Sequence, residues 1–492
     1  MRYIATFDIG TTAVKGVLLS EDNACACEKS VEIETFSEGG RREQDPLSWY
    51  AAVREISRAF FAGGISPGDV RGIVMSGQMQ DLIPVDGDLR PTCNAILYSD
   101  GRAGAEAERL AALIGREELV RSTGNQFDGS LPFPKLLWLK EQNPGAYRAA
   151  EKVLISSKDY CIARLTGEFV SDVTASATAG LMDIHEKRWN TAWMEAAGLD
   201  SGKLPRLRYA HEQAGAVTPG AAAETGYLPG TPVYTGTGDA GATTLASGIS
   251  ADGEFNINLG TSGWVACVSD DVLPKGDVFN LAAMPEGVYI NVVPFFNAGN
   301  VHKWVSRALA PSEQGKYDYV DRLLEESEAG SHGTMFLPYL VGERFPVVDT
   351  QIRGGYVGVT PETTKQDLAR SALEGVAFSI RQGIESIGRV PGKISLIGGG
   401  ARTPVWCQIL ADVLGHPVHV YRNSDYLPAV AIAASVLVAQ GEIGDYTEFT
   451  DTLQGSDNCV RYDPVPANVE RYNRVYPRYL RVYPALKTLC GD

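Results

Sequence analysis

Several things are missing from this 492-residue sequence, and each absence excludes something. No apolar run approaches the roughly 18 residues a membrane-spanning helix needs. The start, MRYIATFDIG, has neither the basic n-region nor the apolar h-region of a signal peptide, so a cytoplasmic protein is expected. Positive charge is short: 44 Lys and Arg stand against 60 Asp and Glu, a net charge of −16. A protein that grips a nucleic-acid backbone carries the opposite balance, so neither nucleic acid nor membrane is an expected partner. A small anionic ligand stays open, because a local site can be positive on an acidic protein. Eight cysteines are too few for a disulfide framework at this length, and the C-x-C pair Cys25 and Cys27 has no second pair at zinc-finger spacing. Reduced thiols are expected. The six histidines form no H-E-x-x-H or other metal motif, and no G-x-x-x-x-G-K-S/T occurs, which excludes a P-loop.

What is present is an ordinary globular composition, 44% hydrophobic and 21% charged, in a chain long enough for two to four domains of roughly 150 residues. Strand-like and helix-like stretches alternate. RYIATFDI, AVKGVLLS and CACEKSVEIE read as strands. DPLSWYAAVREISRAFF reads as a helix, with Asp45 as its cap, Pro46 in its first turn, and Trp49, Val53, Ile56 and Phe60 on one face. VRGIVMSG and KISLIGGG read as buried strands. KQDLARSALEGVAFSIRQGIESI and TPVWCQILADVLG read as helices, the second stopped by Gly415 and Pro417. The alternation predicts an α/β protein.

One unit occurs twice. FDIGTTAVKGVL at 7–18 aligns without gaps on INLGTSGWVACV at 257–268: apolar, Asp or Asn, aliphatic, Gly-Thr, Thr or Ser, then an apolar strand. Two copies of a strand–turn–strand, each opening one half, predict a duplicated architecture. The small-residue stretch TGTGDAGATTLASGISADG at 235–253 marks the junction, so the expected domains are 1–246 and 247–492.

Three glycine-rich turns follow predicted strands: IGTT at 9–12, LGTSG at 259–263 and IGGGAR at 397–402. Backbone N–H groups and Thr or Ser hydroxyls in such turns suit phosphate oxygens. Two hairpins facing across a cleft would hold a polyphosphate between them. Asp8, a carboxylate ending an apolar strand, then needs a cation, and Mg²⁺ shared with phosphate oxygens is the natural one. Lys15 either offsets phosphate charge or is a solvated strand residue. Gly236, Gly238 and Gly241 form G-x-G-x-x-G, the dinucleotide fingerprint. An NAD-dependent oxidoreductase is therefore an alternative. Against it, Asp239 sits inside the loop where it repels a pyrophosphate, and no clear strand ends in Asp or Glu about 20 residues on. Asp239 is either a carboxylate delivered to a cleft or a helix N-cap. In MSGQMQD at 75–81, alternation lets Gln78 and Gln80 point the same way, flanking Met79, as amides that read sugar hydroxyls. Asp100 and Arg102 share a turn, as a site or as a local ion pair.

These residues resemble the FGGY carbohydrate kinases. SLPFPKLLWLKEQ at 130–142 fits the family's first signature through Pro132, Lys135 and Trp138, and GGYVGVTPETTKQDLARSALE at 354–374 fits the second. DIGTT, EQDP, GQM, DGR, LTGE, LGTSG, FLPYLVGER and IGGGAR match further blocks in order. The resemblance implies two ribonuclease H-like domains, as in actin-like ATPases, closing over a central cleft. It implies ATP-dependent, Mg²⁺-dependent phosphorylation of a sugar's primary hydroxyl, with a homodimer as the usual assembly. It implies Asp239 as catalytic base and, with Asp8, metal-facing. Thr11, Thr12, Lys15, Gly260, Thr261 and Ser262 fall at the phosphate turns, and Gly398, Gly399, Gly400 and Ala401 at the nucleoside loop. Gln78, Met79, Gln80 and Asp100 fall on the sugar side.

Within the family the branch acting on D-xylulose is the most similar. Three departures lie on the sugar side: that branch usually has Gln-Met-His for Gln78-Met79-Gln80, Gly-Asp-Asn for Gly238-Asp239-Ala240, and Trp-Asn-Asp-Gly for Tyr98-Ser99-Asp100-Gly101. Another ketopentose such as ribulose, a polyol such as glycerol, or a sugar acid such as gluconate are the alternatives. A non-catalytic, actin-like nucleotide switch is the third class of reading.

Overall fold

The computed structural model describes residues 2–22, 24–273, 275–276, 278–421, 427–454 and 459–490. Two seven-stranded sheets organise it. The first contains β1 (Tyr3–Ile9), β2 (Ala13–Ser20), β3 (Cys25–Glu32), β4 (Val70–Gly77), β5 (Gln213–Ala216), β6 (Pro232–Tyr234) and the short β7 (Thr237–Gly238). Its order is β5-β6-β4-β1-β2-β3, with β7 also on β4. The second contains β8 (Glu254–Leu259), β9 (Gly263–Ser269), β10 (Phe279–Ala282), β11 (Tyr289–Phe295), β12 (Lys393–Ile397), β13 (Val418–Tyr421) and β14 (Cys459–Tyr462), in the order β10-β11-β9-β8-β12-β13-β14. In each sheet an antiparallel hairpin, β1–β2 or β8–β9, runs beside two parallel neighbours, β4 and β6 or β12 and β13. The predicted strands and helices stand where the sequence places them.

The two hairpins are not residue-for-residue copies. Asp8 pairs with Lys15, but Asn258 pairs with Trp264, so the second turn is one residue shorter than the ungapped alignment implies. Trp264, not Val265, therefore stands opposite Asn258 as Lys15 stands opposite Asp8.

Helix α1 (Pro46–Ala62) covers the first sheet. Asp45 caps it by accepting the Leu47 N–H at 2.9 Å, and Trp49, Val53, Ile56 and Phe60 are buried as their spacing predicts. Further helices bear on the site: α2 (Ser157–Thr166), α3 (Val173–Ser176), α4 (Asp239–Ala246), α5 (Gly299–Leu309), α6 (Lys365–Ile387), α7 (Pro404–Leu414) and α8 (Leu427–Ala439). α8 comes from the second half yet buries Ile432, Ala433 and Val436 against Ile4, Val17, Leu19, Val74 and Tyr234 of the first sheet. Its sequence, LPAVAIAASVLVA, is apolar on nearly every side, as a helix enclosed by protein must be. It also packs along α4, so the helix that opens with Asp239 is held by both halves. Among the described residues no helix is long and apolar enough to cross a membrane.

Candidate active site

The strand register brings the first half of the site together. β1, β4 and β7 run parallel, and Asp8, Ser76 and Thr237 form one row across them, with Ile9, Gly77 and Gly238 the next. The chain leaves all three strands at their carboxyl ends, where open α/β sheets place ligands. Asp8 is half-buried there and accepts a hydrogen bond from Ser76 Oγ at 2.9 Å. Burial pushes its carboxyl up, opposed by Ser76 and by Lys15 across the hairpin.

Asp239 is the first residue of α4, immediately after Gly238. The N-cap reading of Asp239 is not met: Gly238 occupies that position. Gly236 makes the preceding bend at φ +64°, where a Cβ would lie 1.9 Å from the Met75 carbonyl oxygen. Only glycine suits both demands. The Asp239 side chain reaches solvent, yet protein surrounds it, which describes a narrow cleft and not a dry core. Its carboxyl is pushed up to about 7, first by that crowding, then by the Asp8 and Asp172 charges, against the Ala240 N–H, which favours the ionised form. Beside it, Ala240 and Met79 pack on the apolar cluster that holds Trp264 and Ala266 of the second hairpin, so Asp239 stands where the two halves meet.

Not every residue expected here is free to bind. Gln78 is 1% exposed and its amide is occupied: it accepts from Thr11 Oγ1 at 2.6 Å and donates to Gln44 Oε1 at 3.0 Å. Gln44 in turn holds the Thr11 carbonyl at 2.6 Å. Gln78 thus braces the first hairpin turn instead of presenting an amide to the cleft. Gln80 does not share its direction either. Its φ of +66° ends the strand alternation, and its Nε2 donates to Ser130 Oγ at 2.8 Å. Asp100 is fully buried and its oxygens accept from Arg102 Nε, Arg102 Nη2 and the N–H groups of Arg42 and Arg102, at 2.5–3.0 Å. Arg102 also pairs with Glu43 at 2.8 Å and stacks on Trp138. The local-ion-pair reading of that turn is the one the geometry favours. Asp100→Asn is expected to cost about 1.5–3 kcal/mol of stability, the scale of charge-assisted hydrogen bonds, while the sugar KM stays within about twofold. Thermal melting and initial-rate kinetics read the two effects separately.

Met79 packs against Gly238, whose added Cβ would fall 2.0 Å from its sulfur. Lys15 and Thr12 are exposed at the first hairpin, as are Thr261 and Ser262 at the second. In the second half β8 and β12 run parallel and end side by side. Gly398 follows β12 at φ +92°, with space for a Cβ closed by Leu259 backbone at 2.7 Å. Beyond these turns lies a cavity of about 590 Å³, lined by Gly260, Thr261, Gly399 and Gly400 among the expected residues. Gly398, Ala401 and Ser262 flank it without lining it. The sequence reading missed its other wall, where Asn300, His302 and Lys303 of α5 and Arg402 and Trp406 face the same space. The signal was present in FNAGN: Gly299 N–H donates to the Gly260 carbonyl at 2.7 Å, an approach that a side chain at 299 would block. A glycine-edged cavity beside exposed Thr and Lys groups suits a nucleotide.

Residues 3–246 match the N-terminal domain of the FGGY family of carbohydrate kinases, and residues 255–435 match its C-terminal domain. The chain belongs to this family. It is a carbohydrate kinase with two α/β domains about a central cleft, which sets aside the oxidoreductase reading of GTGDAG. The xylulose kinase of Bacillus subtilis is 29% identical over 99% of this chain and 98% of its own. The crystal structure of xylulose kinase from Rhodospirillum rubrum is 27% identical, covers 100% of both chains and superposes with a TM-score of 0.89. That of gluconate kinase from Lactobacillus acidophilus is 26% identical, covers 100% of this chain and 99% of its own, with a TM-score of 0.88.

Proposed function

We propose that this carbohydrate kinase transfers the γ-phosphoryl group of ATP to the primary hydroxyl of D-xylulose, giving D-xylulose 5-phosphate. The observation that carries the chemistry is Asp239 where the two halves of the chain meet, under the charge of Asp8, with its carboxyl pushed up to about 7. A base poised near neutrality accepts a proton without holding it too weakly or too tightly. Asp239 takes the hydroxyl proton as that oxygen attacks the phosphoryl group. The transfer spreads charge over three oxygens, so positioning and electrostatics do most of the work. Thr12, Lys15, Thr261 and Ser262 supply donors and charge from both walls, while Thr11 is held by Gln78 and supports the turn. Closure of the two domains, proposed as ribonuclease H-like units divided at 246/247, excludes water and limits idle ATP hydrolysis.

Asp8 and Asp239 raise the cost of each other's charge, an arrangement a cation relieves. Among the described residues no group of three His, Cys, Asp or Glu side chains gathers for a metal. Two carboxylates completed by phosphate oxygens and water fit Mg²⁺, and these two are the residues that would hold it. When bound, Mg²⁺ neutralises phosphate charge. The cytoplasm supplies ATP and Mg²⁺ and keeps thiols reduced.

Similarity to kinases of both xylulose and gluconate leaves the acceptor to experiment. Sugar-dependent ADP release is measured with D-xylulose, D-ribulose, glycerol and D-gluconate. D-xylulose is expected to give the highest kcat/KM. A higher value for gluconate overturns the ketopentose assignment while leaving the kinase chemistry intact.

A further inference from the structure

We infer that Asp172, held in place by Lys158, is a positioning residue for Asp239; this deepens the reading of Asp239 as the base and rests on it. Lys158, Asp159 and Asp172 are all buried, none more than 1% exposed. Lys158 Nζ lies 2.6 Å from Asp159 Oδ1 and 2.7 Å from Asp172 Oδ1. Three charges in a core are costly to desolvate, and well-packed apolar side chains of similar volume serve stability as well or better. Their use is found in what each carboxylate grips.

Asp159 is committed to its own helix start: its Oδ2 accepts from Ser171 Oγ at 2.7 Å and from the Ser156 and Ile155 N–H groups at 3.1 and 3.3 Å. Asp172 reaches further. Its Oδ2 accepts the Ala175 N–H at 3.0 Å, capping α3, and also the Gly238 N–H at 3.3 Å and Thr237 Oγ1 at 3.4 Å. Those last two residues lead directly into Asp239. The sheet register fixes where β7 lies beside β4, while the Asp172 hydrogen bond holds the Thr237–Gly238 peptide, one link before Asp239. The same carboxylate anchors α3, whose Val173 packs with Leu281, Ala282 and Ile290 of the second half. One buried ion pair therefore ties the base to the patch that joins the two domains. A carboxylate shifted by about 1 Å loses on the order of 100-fold in rate.

The test compares the full-length enzyme with Asp172→Asn, which keeps shape and removes charge, and with Asp172→Asn/Lys158→Met/Asp159→Asn, which removes all three buried charges. The expected result is kcat for sugar phosphorylation lowered about 10–100-fold in both, with ATP affinity and sugar KM within about threefold of wild type. Stability is expected to fall in the single variant and recover in the triple variant, whereas kcat stays low in both. Wild-type kcat in folded Asp172→Asn, or kcat restored together with stability in the triple variant, overturns the proposal. Should Asp172→Asn fail to fold, Thr237→Val removes one donor and leaves the ion pair whole. It is then expected to lower kcat several-fold at unchanged melting temperature, and unchanged kcat overturns the proposal. Asp239→Asn is assayed alongside: inactive Asp239→Asn with normal Asp172→Asn defeats this proposal alone, while active Asp239→Asn defeats the base assignment beneath it.

Discussion

With Asp239 as the proposed base, Asp239→Asn is expected to lower kcat for sugar phosphorylation by about 10²- to 10⁴-fold, the contribution of a well-placed general base, while ATP still binds. Asparagine keeps the size of the side chain and the start of α4 but has no site that accepts a proton. The cavity proposed for the nucleotide lies in the second half, lined by Gly399 and Gly400, so the substitution leaves its lining untouched. The pH profile provides a second readout. In the proposed role Asp239 must be ionised, and its carboxyl is pushed up to about 7 by crowding and by Asp8. The rate is therefore expected to fall as pH drops through the base's pKa, giving an acid limb. The residual rate of Asp239→Asn lacks the limb. Kinetics between pH 5 and 9, with isothermal titration of an ATP analogue, separate chemistry from binding.

Asp8→Asn is expected to lower kcat/KM for ATP by roughly 100-fold, the scale of losing one preorganised electrostatic group in a site. Asp8 stands at the end of β1 with Ser76 as its donor, so the amide replaces it in shape and leaves β1 paired with β2 and β4. What disappears is negative charge. Mg²⁺, which Asp8 would help to hold in the proposed function, would then lose an anionic ligand, and the Mg²⁺ concentration giving half-maximal rate is expected to rise. The second hairpin carries Asn258 at the matching position. Titrating Mg²⁺ at saturating ATP distinguishes a weakened metal site from a distorted one, because only the former recovers rate at high Mg²⁺.

The backbone of this architecture was open to reading because its signals are local. β1, β2 and β4 announce themselves by apolar runs ending in turn residues, and α1 by Asp45, Pro46 and a one-sided apolar face. The one-residue difference between hairpins was hidden, since an ungapped sequence match says nothing about which residues pair across a turn. Partners distant in sequence are harder to read. An amide such as Gln78 suits sugar hydroxyls, and nothing nearby in sequence shows that Gln44 takes up its hydrogen bond, whereas Asp100 has Arg102 two residues on, the local ion pair that the turn itself offers. α8 illustrates the limit differently: LPAVAIAASVLVA declares burial on all sides but not that its resting place is the other half's sheet. The reach of Asp172 from Lys158 to Gly238 is invisible in the sequence because these partners lie in separate stretches of chain.

The most direct measurement is a crystal structure with D-xylulose and a non-hydrolysable ATP analogue bound together. Expected is the C5 hydroxyl within about 3 Å of an Asp239 carboxylate oxygen, with the triphosphate spanning the Thr12 and Thr261 turns. A sugar hydroxyl facing the terminal phosphate from some other side chain, with Asp239 turned away, contradicts the mechanism at its centre.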